Sequence, residues 1–248
     1  MAPWSVQWLR SWVNSGLAFL YPEVCQLCHQ ARATPAQSFV CPGCRARVRF
    51  IEPPFCARCG LPYEGAITNE FECTNCREAE LHFSSARSAI VARSEALDII
   101  HRYKYQRALW FEPLLAELLV HQAKAELSAG KWDCIVPVPL HAAKHREREF
   151  NQAQRLANRL GLAIGIPVAK NVLVRTRPTQ TQTRLTRAER EANVRNAFAM
   201  RRSARLNGDR IVLVDDVFTT GATTSAAARV LRSAGATDVC VWTLARGV

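Results

Sequence analysis

Residues 211–214, Ile-Val-Leu-Val, form an unbroken aliphatic run, which predicts a strand covered on both faces, as in a parallel sheet. Further strands are expected over 132–138, 171–174 and 237–245, with the motif strand itself covering 210–214. Helices are expected over 94–110, 112–128, 149–160 and 224–233; in the first of these, Leu97, Ile100 and Tyr103 or Lys104 lie along one side. Strand and helix alternate, which argues for an α/β chain with a parallel sheet flanked by helices. The start of the chain follows a different rule. Trp4, Trp8 and Trp12 recur every four residues beside Leu9, Val13 and Leu17, predicting an amphipathic helix over 1–20 after Pro3. Its aromatic face is expected to pack on the rest of the protein, with docking to a membrane surface as the alternative. From there to residue 82 the chain has too few aliphatic residues for a core of its own. Three regions follow: the helix over 1–20, a cysteine-rich module over 21–82, and an α/β domain over 83–248.

Eight of the ten cysteines fall in the module as four Cys-x-x-Cys pairs: Cys25/Cys28, Cys41/Cys44, Cys56/Cys59 and Cys73/Cys76. Two intervening residues let both sulfurs of a tight turn face one ion, so each pair is half of a tetrahedral thiolate site. The gaps of 12, 11 and 13 residues suit short hairpins, and two structural Zn²⁺ are the natural count. Sequential pairing is the most economical, and a cross-braced arrangement stays open. Disulfides, a redox motif and iron–sulfur ligation are the minority alternatives. Four cysteines per ion leave no open position for a water, so the zinc is structural and supplies fold stability of roughly 10–16 kcal/mol apparent per site. His29 and His82 are surplus to these sites. Cys134 and Cys240 lie in apolar runs and read as small buried hydrophobes.

After the 211–214 run come Asp215, Asp216, two further residues, then Thr219, Thr220, Gly221, Ala222, Thr223 and Thr224. At a strand's carboxyl end, paired acids accept hydrogen bonds from vicinal hydroxyls. A small-residue loop entering a helix wraps N–H groups around a phosphate, and Gly221 lets backbone approach closely. A solvated turn and a plain helix cap are the alternative reading of each half. The complete order resembles the phosphoribosyl diphosphate (PRPP) motif of type I phosphoribosyltransferases. No Gly-x4-Gly-Lys loop and no Gly-x-Gly-x-x-Gly follows a strand, so neither a P-loop motor nor a dinucleotide enzyme is indicated.

Composition adds one point. Over 248 residues, 48% are hydrophobic and 22% charged, ordinary for a soluble globular protein, but the formal charge of +12 is not. Residues 141–210 carry 16 Lys/Arg against 5 Asp/Glu, so anions are the expected partners. Lys144, Arg146 and Arg148 follow the proline-ended strand at 136–140, placed for a pyrophosphate or else simply solvated. The stretch 175–190 is basic, Thr-rich and without a burying period, a composition suited to a mobile lid and equally to a disordered connector. No signal peptide and no membrane span is legible, so the expected location is cytoplasmic.

These pieces in this order resemble the ComF family of competence and DNA-utilisation proteins, a double zinc ribbon followed by a type I phosphoribosyltransferase-like domain. The resemblance rests on 25–76, on Tyr103-Lys104-Tyr105, on 137–140 with Arg148, Phe150, Asn151 and Gln152, on Gln182 with 185–193, and on 215–224. It implies PRPP bound with Mg²⁺, the loop 219–224 on the 5-phosphate, Asp215 and Asp216 on the ribose hydroxyls, and Arg148, Lys104 and Arg146 towards pyrophosphate. It implies an enzyme of unread acceptor, or a nucleic-acid-binding or PRPP-sensing accessory. Single-stranded DNA and a DNA-uptake or helicase-type protein are the partners in view. The family pattern Arg-Gly-Phe-Asn-Gln has Glu149 here in place of glycine, and that carboxylate either weakens a pyrophosphate loop or points outward.

Overall fold

The computed structural model describes residues 23–65, 71–178, 194 and 196–247. The Trp4/Trp8/Trp12 stripe, Gln182 and most of the 175–190 stretch lie outside the described residues. In chain order the elements are α1 (Pro42–Ala46), α2 (Thr74–Glu78), β1 (Ser85–Val91), α3 (Ser94–Tyr105), α4 (Glu112–Ala129), β2 (Cys134–Pro137), α5 (Ala142–Arg148), α6 (Gln152–Ile164), β3 (Leu173–Arg175), β4 (Phe198–Met200), β5 (Arg210–Phe218), α7 (Ala222–Ser233) and β6 (Asp238–Arg246). A four-stranded, all-parallel sheet runs β1-β6-β5-β2, with α3, α4 and α6 on one face and α7 on the other.

The expected both-sided burial of 211–214 holds, since all four residues are 0% exposed. Val212 and Val214 join Cys240 and Trp242 beneath α3, α4 and α6, while Ile211 and Leu213 join Val239 and Val241 beneath α7. Successive side chains point to opposite faces, so these aliphatic residues feed two separate cores.

The sequence reading needs correction at several elements. The expected strand over 171–174 is β3, and it leaves the main sheet to pair antiparallel with β4. The expected helix over 149–160 is two helices. Glu149 adopts φ +66 and stops α5, and Asn151 restarts the chain by accepting from the N–H groups of Ala153 (3.0 Å) and Gln154 (3.4 Å). The helix over 94–110 ends at Tyr105, because Arg107 turns to φ +55 before a short 3₁₀ turn at Leu109–Phe111. Its buried stripe is Ala96, Ile99, Ile100 and Tyr103, whereas Leu97 is exposed. β1 was not expected, because Ser85, Arg87 and Ser88 dilute its aliphatic signal.

The cysteine-rich module covers the outer edge of β1. Phe50 bridges Ile90 antiparallel, Ile51 N–H donates to Ala89 O (2.9 Å), and Val91 N–H donates to Arg49 O (2.9 Å). Nearer the start of the strand, Ala86 N–H donates to Arg58 O (2.8 Å). The first two cysteine pairs share a core with α3 and α4, and the last two share the core beneath α7. The two knuckle pairs therefore grip opposite faces of the sheet. Gly60 sits at φ +66, and a Cβ there would stand 2.7 Å from Ala86 O. The expected outcome for Gly60→Ala is a loss of about 2 kcal/mol, from the left-handed backbone and the displaced edge together. Urea denaturation measures it, and an unchanged midpoint would contradict this close approach.

Candidate functional site

Each group of four cysteines converges. Sγ separations are 3.7 Å for Cys25–Cys44 and 3.9 Å for Cys28–Cys41; in the second group they are 3.8 Å for Cys56–Cys76 and 3.7 Å for Cys59–Cys73. Four sulfurs at about 2.3 Å from a central zinc stand about 3.8 Å apart, whereas a disulfide needs about 2.05 Å. Pairing is sequential, Cys25, Cys28, Cys41 and Cys44 in one group and Cys56, Cys59, Cys73 and Cys76 in the other. Backbone N–H groups of Cys41, Cys44 and Cys73 point at sulfurs at 3.3–3.4 Å, as thiolates favour. Both tetrads fit structural zinc. Cys134 and Cys240 stand apart, each thiol pushed up by burial, Cys134 to about 11, so neither is a thiolate near neutral pH.

The second cluster sits where β5 reaches its carboxyl end. Asp215 and Asp216 are neighbours on a strand, so their side chains take opposite faces. Lys104, at the end of α3, places Nζ 2.9 Å from Asp216 Oδ2, and both side chains are largely buried. Asp216 N–H donates to Asp215 Oδ1 at 2.9 Å. Burial and the neighbouring Asp216 charge push the Asp215 carboxyl up to about 7, against the pull of Asp216 N–H, Lys104 and Arg175. Lys144 is held below the usual lysine range by burial, by Arg175 and by Arg148. Cations therefore crowd one another beside a carboxyl pair.

Supporting contacts fix these groups. Glu112, 5% exposed at the start of α4, accepts from Tyr103 Oη (3.3 Å), Arg155 Nε and Arg159 Nε (3.4 Å). It thus ties α3, which carries Lys104, to α6, which follows the Arg148 loop. Arg148 lies over the Tyr105 ring at 4.9 Å and donates from Nη1 to Gln152 Oε1 at 3.2 Å. Gln152 Nε2 is buried with no acceptor among the described residues. Glu149 points outward, its carboxylate 2.9 Å from Arg107 Nη1.

The loop 219–224 begins where β5 ends. Gly221 adopts φ +80, with Phe218 so close beneath it that a Cβ would meet the ring at 2.6 Å. Ala222 N–H reaches Thr220 Oγ1 (3.4 Å), and Thr224 Oγ1 donates to Gly221 O (3.1 Å). Ser225 N–H closes the first helical bond on Gly221 O at 2.8 Å. α7 therefore starts at Ala222, two residues before the expected 224, and Thr219, Thr220 and Thr223 ring its amino end. Its leading N–H groups and macrodipole suit an anion.

The structure brings Asp215, Asp216, Lys104 and Arg148 to one sheet end, next to the loop 219–224. Arg146 is exposed on α5, and no described contact joins it to them. Sequence reasoning did not assign Arg175 to the site. It read that residue only as the start of the polar stretch, and β3 carries it to Asp215 from forty residues away in the chain. No local pattern marks such a residue.

Over residues 16–79 the chain matches the family model of the double zinc ribbon domain, and over 148–247 that of the phosphoribosyl transferase domain. With the parallel sheet and flanking helices, this gives the fold class expected: a type I phosphoribosyltransferase-like domain behind a double zinc ribbon. Competence protein F of Haemophilus influenzae is 33% identical over 217 residues, spanning 85% of this chain and 92% of that one. The DNA utilization protein YhgH of Escherichia coli K12 is 31% identical over 228 residues, spanning 91% and 97%. Competence protein ComFC of Bacillus subtilis is 29% identical over 225 residues, spanning 84% of each.

Two outcomes are expected of this site. Between the ordinary 3.8 and about 7, folded Asp215 holds a proton that the unfolded chain has lost, so this group lowers stability as pH rises through that window. Asp215→Asn removes the penalty, and its stability advantage over the wild type in urea should grow from about pH 5.5 to pH 8. A pH-independent difference would refute the raised carboxyl. Glu149→Gly should leave stability within about 1 kcal/mol of wild type or above it, since glycine accepts the left-handed backbone freely. It should also free Arg107, and a calorimetric titration with pyrophosphate should then show tighter binding.

Proposed function

The chain belongs to the ComF family, that of competence protein F and the YhgH DNA-utilisation proteins, and from this premise we propose that it binds PRPP with Mg²⁺ and transfers its phosphoribosyl group. The observation that carries the reading is the junction of a buried carboxyl pair, a cation cluster and an anion-binding helix start at one sheet end. The loop 219–224 takes the 5-phosphate through the N–H groups that open α7. Asp215 and Asp216 accept hydrogen bonds from the ribose hydroxyls and stabilise positive charge developing on the ribosyl carbon. Arg148, Lys144 and Lys104 hold the departing pyrophosphate, with Arg146 at the periphery. Mg²⁺ bound with PRPP supplies further neutralisation of the leaving group.

In this reading Lys104 has two partners. With the site empty it neutralises Asp216; with pyrophosphate bound it turns to the leaving group, and Asp216 becomes available to the sugar. The zinc ribbons carry no water-activating position and serve the fold.

A second reading is favoured by the net charge of residues 141–210 and by what the relatives are named for: a nucleic-acid-handling accessory that docks single-stranded DNA on its basic surface and a DNA-uptake or helicase-type protein on the ribbons. No helix among the described residues is long and apolar enough to cross a membrane.

Calorimetry of the zinc-loaded protein with Mg·PRPP separates the two. Saturable binding is expected for the wild type, weakened at least tenfold, about 1.4 kcal/mol, in Asp215→Asn/Asp216→Asn. Equal binding by the double variant, or none by the wild type, would refute the first reading. The second requires single-stranded DNA affinity that falls steeply with added salt, and a salt-independent affinity would refute it.

A further inference from the structure

The second cysteine tetrad and the phosphate loop share a wall. Arg246, the last residue of β6, is 3% exposed. Its Nη1 donates to Cys59 O (3.1 Å) and its Nη2 points at Cys59 Sγ (3.4 Å). Its Nε is buried without a partner among the described residues, so Cys59 is the principal acceptor in reach. The other face of the guanidinium lies 4.4 Å over the Phe218 ring. Phe218 is the in-register partner of Arg246 across β5 and β6, and its ring is the surface on which Gly221 rests.

Two further features make the junction continuous. A cavity of about 50 Å³ lies between the tetrad and the loop, lined by Cys59, Cys76, Phe218, Thr219, Thr220 and Arg246. Beyond it, Ser225 in the first turn of α7 donates to Glu80 O (3.2 Å) and accepts from His82 N–H (3.2 Å). The segment leaving Cys76 is thereby tied to the helix start. Among the described residues the first tetrad has no such link; it packs against α3 and α4 on the opposite face.

We propose that Arg246 is a positioning residue that couples the second zinc site, and not the first, to the phosphate loop. When Cys56, Cys59, Cys73 and Cys76 are held around an ion, Cys59 fixes the guanidinium, the guanidinium fixes Phe218, and Phe218 sets the left-handed turn at Gly221. An isolated buried guanidinium is costly, so release of Cys59 forces Arg246 to move and removes the support beneath the loop. Coupling is reciprocal: an anion that orders the loop must hold the second site closed more tightly. The inference rests on the reading of 219–224 as the 5-phosphate loop.

The test follows thiol alkylation in the full-length zinc-loaded protein, mapped cysteine by cysteine by mass spectrometry, with and without Mg·PRPP, alongside calorimetry. The expected result is that Mg·PRPP slows alkylation of Cys56, Cys59, Cys73 and Cys76 by about fivefold or more while Cys25, Cys28, Cys41 and Cys44 are unchanged. Arg246→Lys, which keeps the charge but loses the fork and the stacking, should bind two zinc ions, bind Mg·PRPP more weakly, and lose that selective protection. Phe218→Leu should lose it in the same way, and provides the second variant if Arg246→Lys fails to fold. Calorimetric binding with both tetrads protected alike, or neither, overturns the coupling and leaves the phosphate loop standing. Absence of calorimetric binding by the wild type overturns the loop reading and the coupling together.

Discussion

The sheet depends on what closes the outer edge of β1. A parallel sheet tolerates neither a bare face nor a bare edge, and β1 carries Ser85 and Arg87, which are only half-buried, while Ser88 is buried against Thr243 Oγ1 at 2.6 Å. The chain before it offers little aliphatic mass. Cover comes instead from a backbone bridge at Phe50 and from the Gly60 turn pressed on Ala86, each next to a cysteine tetrad. Ion pairs add little here: Arg45–Glu117 and Arg47–Glu95 include exposed side chains, and such pairs contribute about 0–1 kcal/mol. Zinc affinity at roughly 10–16 kcal/mol apparent per site is the larger quantity, and it acts on the sheet edge as much as on the ribbon.

That edge leads to the chemistry through strand parity. Val212 and Val214 face α3 and α6, so Asp216 faces the same way and meets Lys104 from α3. Ile211 and Leu213 face the other core, so Asp215 turns towards β3 and feels Arg175. Two adjacent acids thus take cations from different layers of the fold. Full neutralisation is still not reached, because burial opposes ionisation of Asp215 while Arg175 and Arg148 oppose the charge on Lys144. This sheet end thus sets a carboxyl that resists ionisation beside a lysine crowded by other cations.

What was legible in the sequence was what depends on spacing. Cys-x-x-Cys pairs and the run from Asp215 to Thr224 are local requirements of a metal tetrahedron and of a tight strand-to-helix turn, so residues close in the chain state them fully. The central strand was legible because both its faces are aliphatic. β1 and β4 were not, one being diluted by polar residues and the other only three residues long. Arg175 and Arg246 were invisible as site residues because their roles arise from pairing across the sheets, and Lys104 entered only through the family resemblance.

Glu149 shows how a departure from a family pattern is absorbed. A left-handed conformation costs a non-glycine residue about 1–2 kcal/mol, and an exposed ion pair with Arg107 returns less than about 1 kcal/mol. The conformation must therefore be imposed by its surroundings. Asn151 caps α6 two residues later and donates to Val138 O at 3.0 Å, and the Phe150 ring packs on Tyr103 with centroids 5.2 Å apart. With both neighbours anchored, the backbone between Arg148 and Asn151 keeps the turn a glycine would make freely. The same turn aims the carboxylate at Arg107 and away from the cation cluster, while Arg107 also donates to Glu147 O at 3.1 Å. What glycine's absence changes is electrostatic: one cation that a glycine would leave available is drawn onto Glu149, and the shape of the loop is kept.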